Sequence, residues 1–116
     1  MKKFALVLAC LLLAAPLAVA GPIGGGASGY DYALGNADTS YQVAFVGGET
    51  TAVFVNGDGS SVLDVAIYDA SGNLVALNLG NLAGCSVAWT PAYTGDYTVV
   101  VVNEGSALNV YSIDIV

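Results

Sequence analysis

Seven short apolar runs, each closed by turn-forming residues, fill the chain from residue 41 to its end. They are "YQVAFV" (41–46), "TTAVFVN" (50–56), "LDVAIYD" (63–69), "LVALNL" (74–79), "CSVAWT" (85–90), "YTVVVVN" (97–103) and "NVYSIDIV" (109–116). Between them stand "GG", "GDGSS", "ASGN", "GNLAG", "PAYTGD" and "EGSA". The runs are shorter than a core helix, which needs at least about ten residues. They are also rich in Val, Ile, Thr and Tyr, which suit a pleated sheet. Strands punctuated this regularly predict an all-β sandwich or barrel. "ASGN" reads as a tight hairpin, because Gly72 and Asn73 tolerate positive φ.

Side chains alternate across a strand, so parity separates inside from outside. Leu63, Val65 and Ile67 share one face, opposite Asp64, Ala66 and Tyr68. Tyr111, Ile113 and Ile115 alternate with Ser112 and Asp114. Cys85, Val87 and Trp89 fall together on an apolar face and are expected in the core, where unpaired Cys is common. Pro91 ends that strand because it cannot donate to a ladder. Tyr97 opens the next one, with its ring expected to pack and its hydroxyl to reach loop backbone. "YTVVVVN" is apolar on both faces and predicts a central strand.

The chain opens "MKKFALVLACLLLAAPLAVA". Two lysines, an apolar run, Pro16 and the small residues Ala18 and Ala20 give the layout of a signal peptide cleaved after Ala20. A lipoprotein reading of "VLAC", with Cys10 lipidated, would leave too short an apolar core before the cysteine. Residues 1–20 are therefore read as a signal peptide and residues 21–40 as a Gly-rich flexible segment, with a short edge strand near Tyr30 to Leu34. Residues 41–116 are read as the sandwich. The expected location is secreted or periplasmic, with no transmembrane segment after processing.

Beyond residue 20 the chain has no Lys, Arg or His, and nine carboxylates: Asp31, Asp38, Glu49, Asp58, Asp64, Asp69, Asp96, Glu104 and Asp114. Its formal side-chain charge there is −9. Nucleic acid is excluded as an ordinary partner, since phosphate contacts require basic side chains. Cys85 has no second Cys in the processed chain, so no intramolecular disulfide is expected. A Ser nucleophile would lack an ordinary base, and no acid sits in an obviously apolar setting that would tune it for catalysis. The expectation is a non-enzyme.

The segments "LDVAIYDASGNLVA" and "CSVAWTPAYTGDYTVVVVNEGSALNVYSIDI" resemble the bacterial pre-peptidase C-terminal (PPC) domain. The likeness lies in an acidic strand, a "GNLVA" hairpin, a "TP…TGxY" corner, a valine-rich strand and an "N-x-G" turn at Asn103 to Gly105. It implies a jelly-roll-like antiparallel β-sandwich of about seven to eight strands. It also implies an accessory, non-catalytic binding role, sometimes involving calcium. Of the family's acidic strand only Asp64 remains, because Val62 and Ala66 replace an Asp and a Tyr.

Three candidate sites follow. "NGDGSSVLD" sets Asn56, Asp58 and Asp64 around a Gly-rich turn, where Ca²⁺ would find oxygen ligands. Outward tyrosines, Tyr68 and Tyr93 foremost with Tyr30 and Tyr32 beside them, suit a glycan or protein ligand. The final run, "NVYSIDIV", lacks Lys or Pro protection and reads as an edge that could pair between chains. The expected protein is thus a binding module for a glycan, protein or matrix ligand, existing as a monomer or in calcium-dependent assemblies. The alternative is a structural, self-associating extracellular protein.

Overall fold

The computed structural model describes residues 26–116. The signal-peptide reading, Cys10 and residues 21–25 lie outside the described residues. Eight strands follow in chain order: β1 (Ala27–Ala33), β2 (Asp38–Phe45), β3 (Thr51–Asn56), β4 (Leu63–Tyr68), β5 (Leu74–Asn78), β6 (Gly84–Trp89), β7 (Gly95–Asn103) and β8 (Asn109–Ile115). They form two four-stranded antiparallel sheets, ordered β1-β8-β3-β6 and β2-β7-β4-β5. Sequential strands mostly cross between the sheets, which is the jelly-roll order. No helix among the described residues is long and apolar enough to cross a membrane.

Parity builds the core as expected. Leu63, Val65, Ile67, Tyr111, Ile113 and Ile115 are all buried. β7 lies between β2 and β4, and even its outward Val100 is buried, paired with Ser40 and Ala66. Across the two sheets Tyr41 donates to Asp31 Oδ2 at 2.8 Å, and its hydroxyl lies 2.7 Å from that of Tyr111. Burial, with Tyr111 and Asp31 adding to it, pushes the Tyr41 phenol far above its ordinary value, so it stays protonated.

Several elements depart from the sequence reading. The edge strand expected near Tyr30 to Leu34 forms as β1 but begins earlier, pairing with β8 from Ala27 onward, and β2 starts at Asp38, before residue 41. β8 is not an edge, because β1 covers one side of it and β3 the other. In the β4–β5 hairpin Gly72 has φ +88°, but Asn73 does not have positive φ. Asp69 closes that turn instead, accepting the Ser71 and Asn73 N–H groups at 2.9 Å.

Two polar devices fix the ends of the sandwich. At one end Asn103 is buried, and its Nδ2 donates to the carbonyls of Ala33, Leu34 and Ala107 at 2.7–3.2 Å. Its Oδ1 accepts from Ser61 Oγ and Gly105 N. Buried Asn109 donates to the Ser61 carbonyl and hydroxyl and accepts from Asp58 N. This end thus joins three loops: β1–β2, β3–β4 and β7–β8. At the other end Tyr97 Oη donates to Tyr93 O at 2.7 Å, fixing the "PAYTGD" corner.

Candidate functional site

The expected core residues of β6 and β7 pack together. Cys85, Val87 and Tyr97 are buried. Trp89 is only partly buried and sits at the rim, because β6 is the edge strand of its sheet among the described residues. Its ring meets Phe45 edge-on at 4.7 Å and Tyr97 at 5.9 Å. Its indole Nε1 is buried with no hydrogen-bond partner among the described residues. The Cys85 thiol donates to the Asn78 carbonyl at 3.2 Å; burial, reinforced by the Asp64 charge, raises its pKa, so the thiol is a poor nucleophile.

The candidate metal ligands serve different loops. Asp58 is exposed at the β3–β4 turn, where Oδ1 accepts from Ser60 N and Oγ and Oδ2 accepts from Val110 N. The Ser60 hydroxyl, then the Val110 N–H, hold its pKa low. Asn56 is exposed at the end of β3. Asp64 is buried on β4 and accepts from Gly80 N at 2.9 Å, tying down the β5–β6 loop. Among the described residues, no three His, Cys, Asp or Glu side chains gather to hold a metal ion.

Asp64 does meet Glu104, whose carboxyl pKa is raised by a hydrogen bond to Asp64 and by that residue's charge. The folded state therefore holds a proton here more tightly than the unfolded chain does. That contribution favours folding at acid pH and is lost as pH rises through the elevated folded value. Glu104→Gln keeps a donor to Asp64 without the second charge. Its Tm should exceed the parent's at pH 7, with the gap closing toward pH 4; thermal melts across that range check this.

The tyrosines divide. Tyr93 stacks on Tyr97 at 5.4 Å, and its phenol pKa is raised by desolvation and by the Asp69 carboxylate, to which it hydrogen-bonds. Tyr68 is half-buried at the end of β4. These two lie on the β2-β7-β4-β5 side or its adjoining corner. Tyr30 and Tyr32 stand apart from them, on β1 in the other sheet.

The outer face of the β1-β8-β3-β6 sheet gathers features that the separate runs do not reveal. Tyr30 is 77% exposed, Tyr32 54% and Phe54 42%. The register places Tyr30 beside Ser112 with Asn56 on the far side, and Ser28 beside Asp114 with Phe54 on the far side. Tyr32 pairs with Val110, which is also exposed. Two strand spacings separate β1 from β3, roughly 10 Å. Beyond Phe54 the neighbours are small, Ser86 and Ala88 on β6. A groove of about 360 Å³ opens there, lined by Phe54, Asn56, Asn78, Leu79, Asn81 and Ser86. Its floor needs Gly84, whose φ is +144° and where a Cβ would lie 2.1 Å from the Val55 carbonyl. Among the described residues, the side chains of Asn56, Ser112 and Asp114 make no intramolecular hydrogen bond. Sequence parity marks each of these residues as outward, but only the pairing of β1 with β8 and β8 with β3 makes them one surface.

No protein-family model and no curated protein matches this chain. Solved structures do. The pre-peptidase C-terminal domain of a collagenase from Bacillus anthracis superposes with TM-score 0.67 at 13% identity, covering 78% of this chain and 89% of that one. A mitogen derived from Yersinia pseudotuberculosis gives TM-score 0.60 at 13% identity, over 78% and 84%. A periplasmic inhibitor of g-type lysozyme from Aeromonas hydrophila gives 0.58 at 14%, over 78% and 83%. At these identities the likeness is one of fold, and in fold the chain is PPC-like, as its sequence motifs imply.

Proposed function

We propose that this protein is an exported, non-catalytic binding module that holds a neutral glycan on the outer face of the β1-β8-β3-β6 sheet. The observation that carries the reading is the exposure of Tyr30, Tyr32 and Phe54 on one face, with Ser112 and Asp114 set between them and Asn56 on the same strand as Phe54. Aromatic rings offer flat apolar area to the faces of sugar rings while the polar groups reach their hydroxyls. The groove beyond Phe54 continues the track past β3. Charge favours a neutral ligand: nine acids and no base beyond residue 20 repel anionic polymers and offer no cationic anchor.

Export is supported by the leader's layout, and the non-catalytic reading by the absence of His, Lys and Arg beyond residue 20 together with a buried, raised-pKa thiol. The PPC-like fold is compatible with an accessory role. The test is co-sedimentation with a panel of insoluble neutral polysaccharides. The chain beginning at Gly21 should bind at least one, and Tyr30→Ala/Tyr32→Ala/Phe54→Ala should lose at least tenfold in affinity with an unchanged circular dichroism spectrum. Tyr68→Ala/Tyr93→Ala should bind as the parent does. Equal binding by the triple variant and the parent, or no binding to any member of the panel, defeats the proposal.

A further inference from the structure

The four edge strands of the sandwich are guarded unequally. A sheet edge presents unpaired N–H and C=O groups that can template another chain, and proteins blunt such edges with charge, proline, bulges or a cover. β1 carries Asp31, and β2 carries Asp38. β6 is tied to the last residue of β5: Asn78 Nδ2 donates to the Ser86 carbonyl at 2.6 Å and Cys85 Sγ donates to the Asn78 carbonyl, so on β5 only Leu74 to Leu77 lie beyond this bridge. The Asn81 side chain accepts the N–H groups of Ala83 and of Gly84, the first residue of β6.

β5 has neither charge nor proline. Its one irregularity is a register shift opposite Ile67 and Tyr68, beyond which Ala76, Leu77 and Asn78 pair regularly with β4. Leu74, Val75 and Leu77 are exposed, and so is Leu79 just past the strand. Leu77 pairs with Ala66, an outward position, so it stands on the outer face of its sheet. Ala76 turns inward against the core.

Charge says what this edge fits. Residues 70–95 contain none of the nine acids, and no base lies beyond residue 20. Two copies that meet at β1 or β2 bring acids together, and β6, though free of acids, exposes only the small Ser86 and Ala88, whereas two copies that meet at β5 bring neutral and mostly apolar side chains. A basic protein would be drawn to the acidic surfaces, away from this stretch. We propose that β5 is a self-association edge, at which a second copy of this chain pairs antiparallel through its own β5 about a two-fold axis. The contact is isologous, so one uncharged strand serves both partners. It joins the two β2-β7-β4-β5 sheets into one and leaves the Tyr30–Phe54 face of each copy open.

Sedimentation velocity of the chain beginning at Gly21, at about 0.02 and 0.5 M NaCl, tests this. A two-chain mass is expected, favoured by salt, which screens the mutual repulsion of the two acidic bodies over a Debye length of only about 3–10 Å at 0.1–1 M. Leu77→Asp places like charges across the two-fold axis and should give a single-chain mass at both salts. Leu74→Glu should do the same, and circular dichroism shows that each variant is folded. Phe54→Ser, on the other sheet, should remain a dimer. A parent that is monomeric at both salts overturns the proposal, as does a dimer that survives folded Leu77→Asp and Leu74→Glu or is abolished by Phe54→Ser.

Discussion

Asn103→Ala is expected to lose about 3 kcal/mol or more of folding stability, because a buried group left without its partner costs about 1–3 kcal/mol. The truncation frees the carbonyls of Ala33, Leu34 and Ala107, the Ser61 hydroxyl and the Gly105 N–H together. A small domain has only about 5–15 kcal/mol in total. Urea unfolding followed by circular dichroism should show the midpoint falling steeply. Asn103→Asp should fail to restore it, since the carboxylate accepts but cannot donate to three carbonyls. A midpoint within a few tenths molar of the parent's would mean that water replaces the amide and that the three loops are held by something else.

Phe45→Ala should cost a comparable amount, about 3–5 kcal/mol, the usual range for emptying a buried aromatic position. Phe45 is fully buried, and its ring touches both Trp89 and Tyr97 edge-on. Trp89 is the only tryptophan, so its emission reports the change directly. The variant should emit to the red of the parent while still folded, because Trp89 loses the ring it packs against edge-on at 4.7 Å. Trp89→Ala should cost less than Phe45→Ala, since Trp89 is only partly buried. Equilibrium unfolding of both variants checks the order, and a reversed order would place Trp89 deeper than the rim.

Strand positions and the inward faces of β4 and β8 were legible in the sequence because burial on one face leaves a period-two pattern, as at Leu63, Val65 and Ile67. The jelly-roll class followed from the order of short motifs. Strand partners were not legible. β8 reads as a free edge because the strand that covers it, "ASGYDYA", is Gly-containing and weakly apolar. The same obscurity hid the candidate ligand face, since Tyr30 and Phe54 are neighbours only through β8, which lies between their strands. Asp64 and Asn103 look like surface polar residues, and their burial is set by loops distant in sequence. The "N-x-G" turn carried the available signal for Asn103: Oδ1 accepts from Gly105 N within the turn itself. Tyr68 was marked by outward parity and Tyr93 by its loop position, neither of which shows that the Tyr93 ring, though 44% exposed, is stacked on Tyr97.

The central claim is that ligand recognition belongs to the outer face of the β1-β8-β3-β6 sheet. Its most direct test is an amide and side-chain chemical-shift titration of the isotope-labelled chain beginning at Gly21, using a soluble neutral oligosaccharide cut from whichever polysaccharide the protein sediments with. The account predicts shifts concentrated at Tyr30, Tyr32, Phe54, Asn56, Ser112 and Asp114, with Tyr68 and Tyr93 unmoved. Shifts confined to Tyr68, Tyr93 and Asp69, or to residues 74–77 of β5, would contradict it and move the binding site to the other sheet.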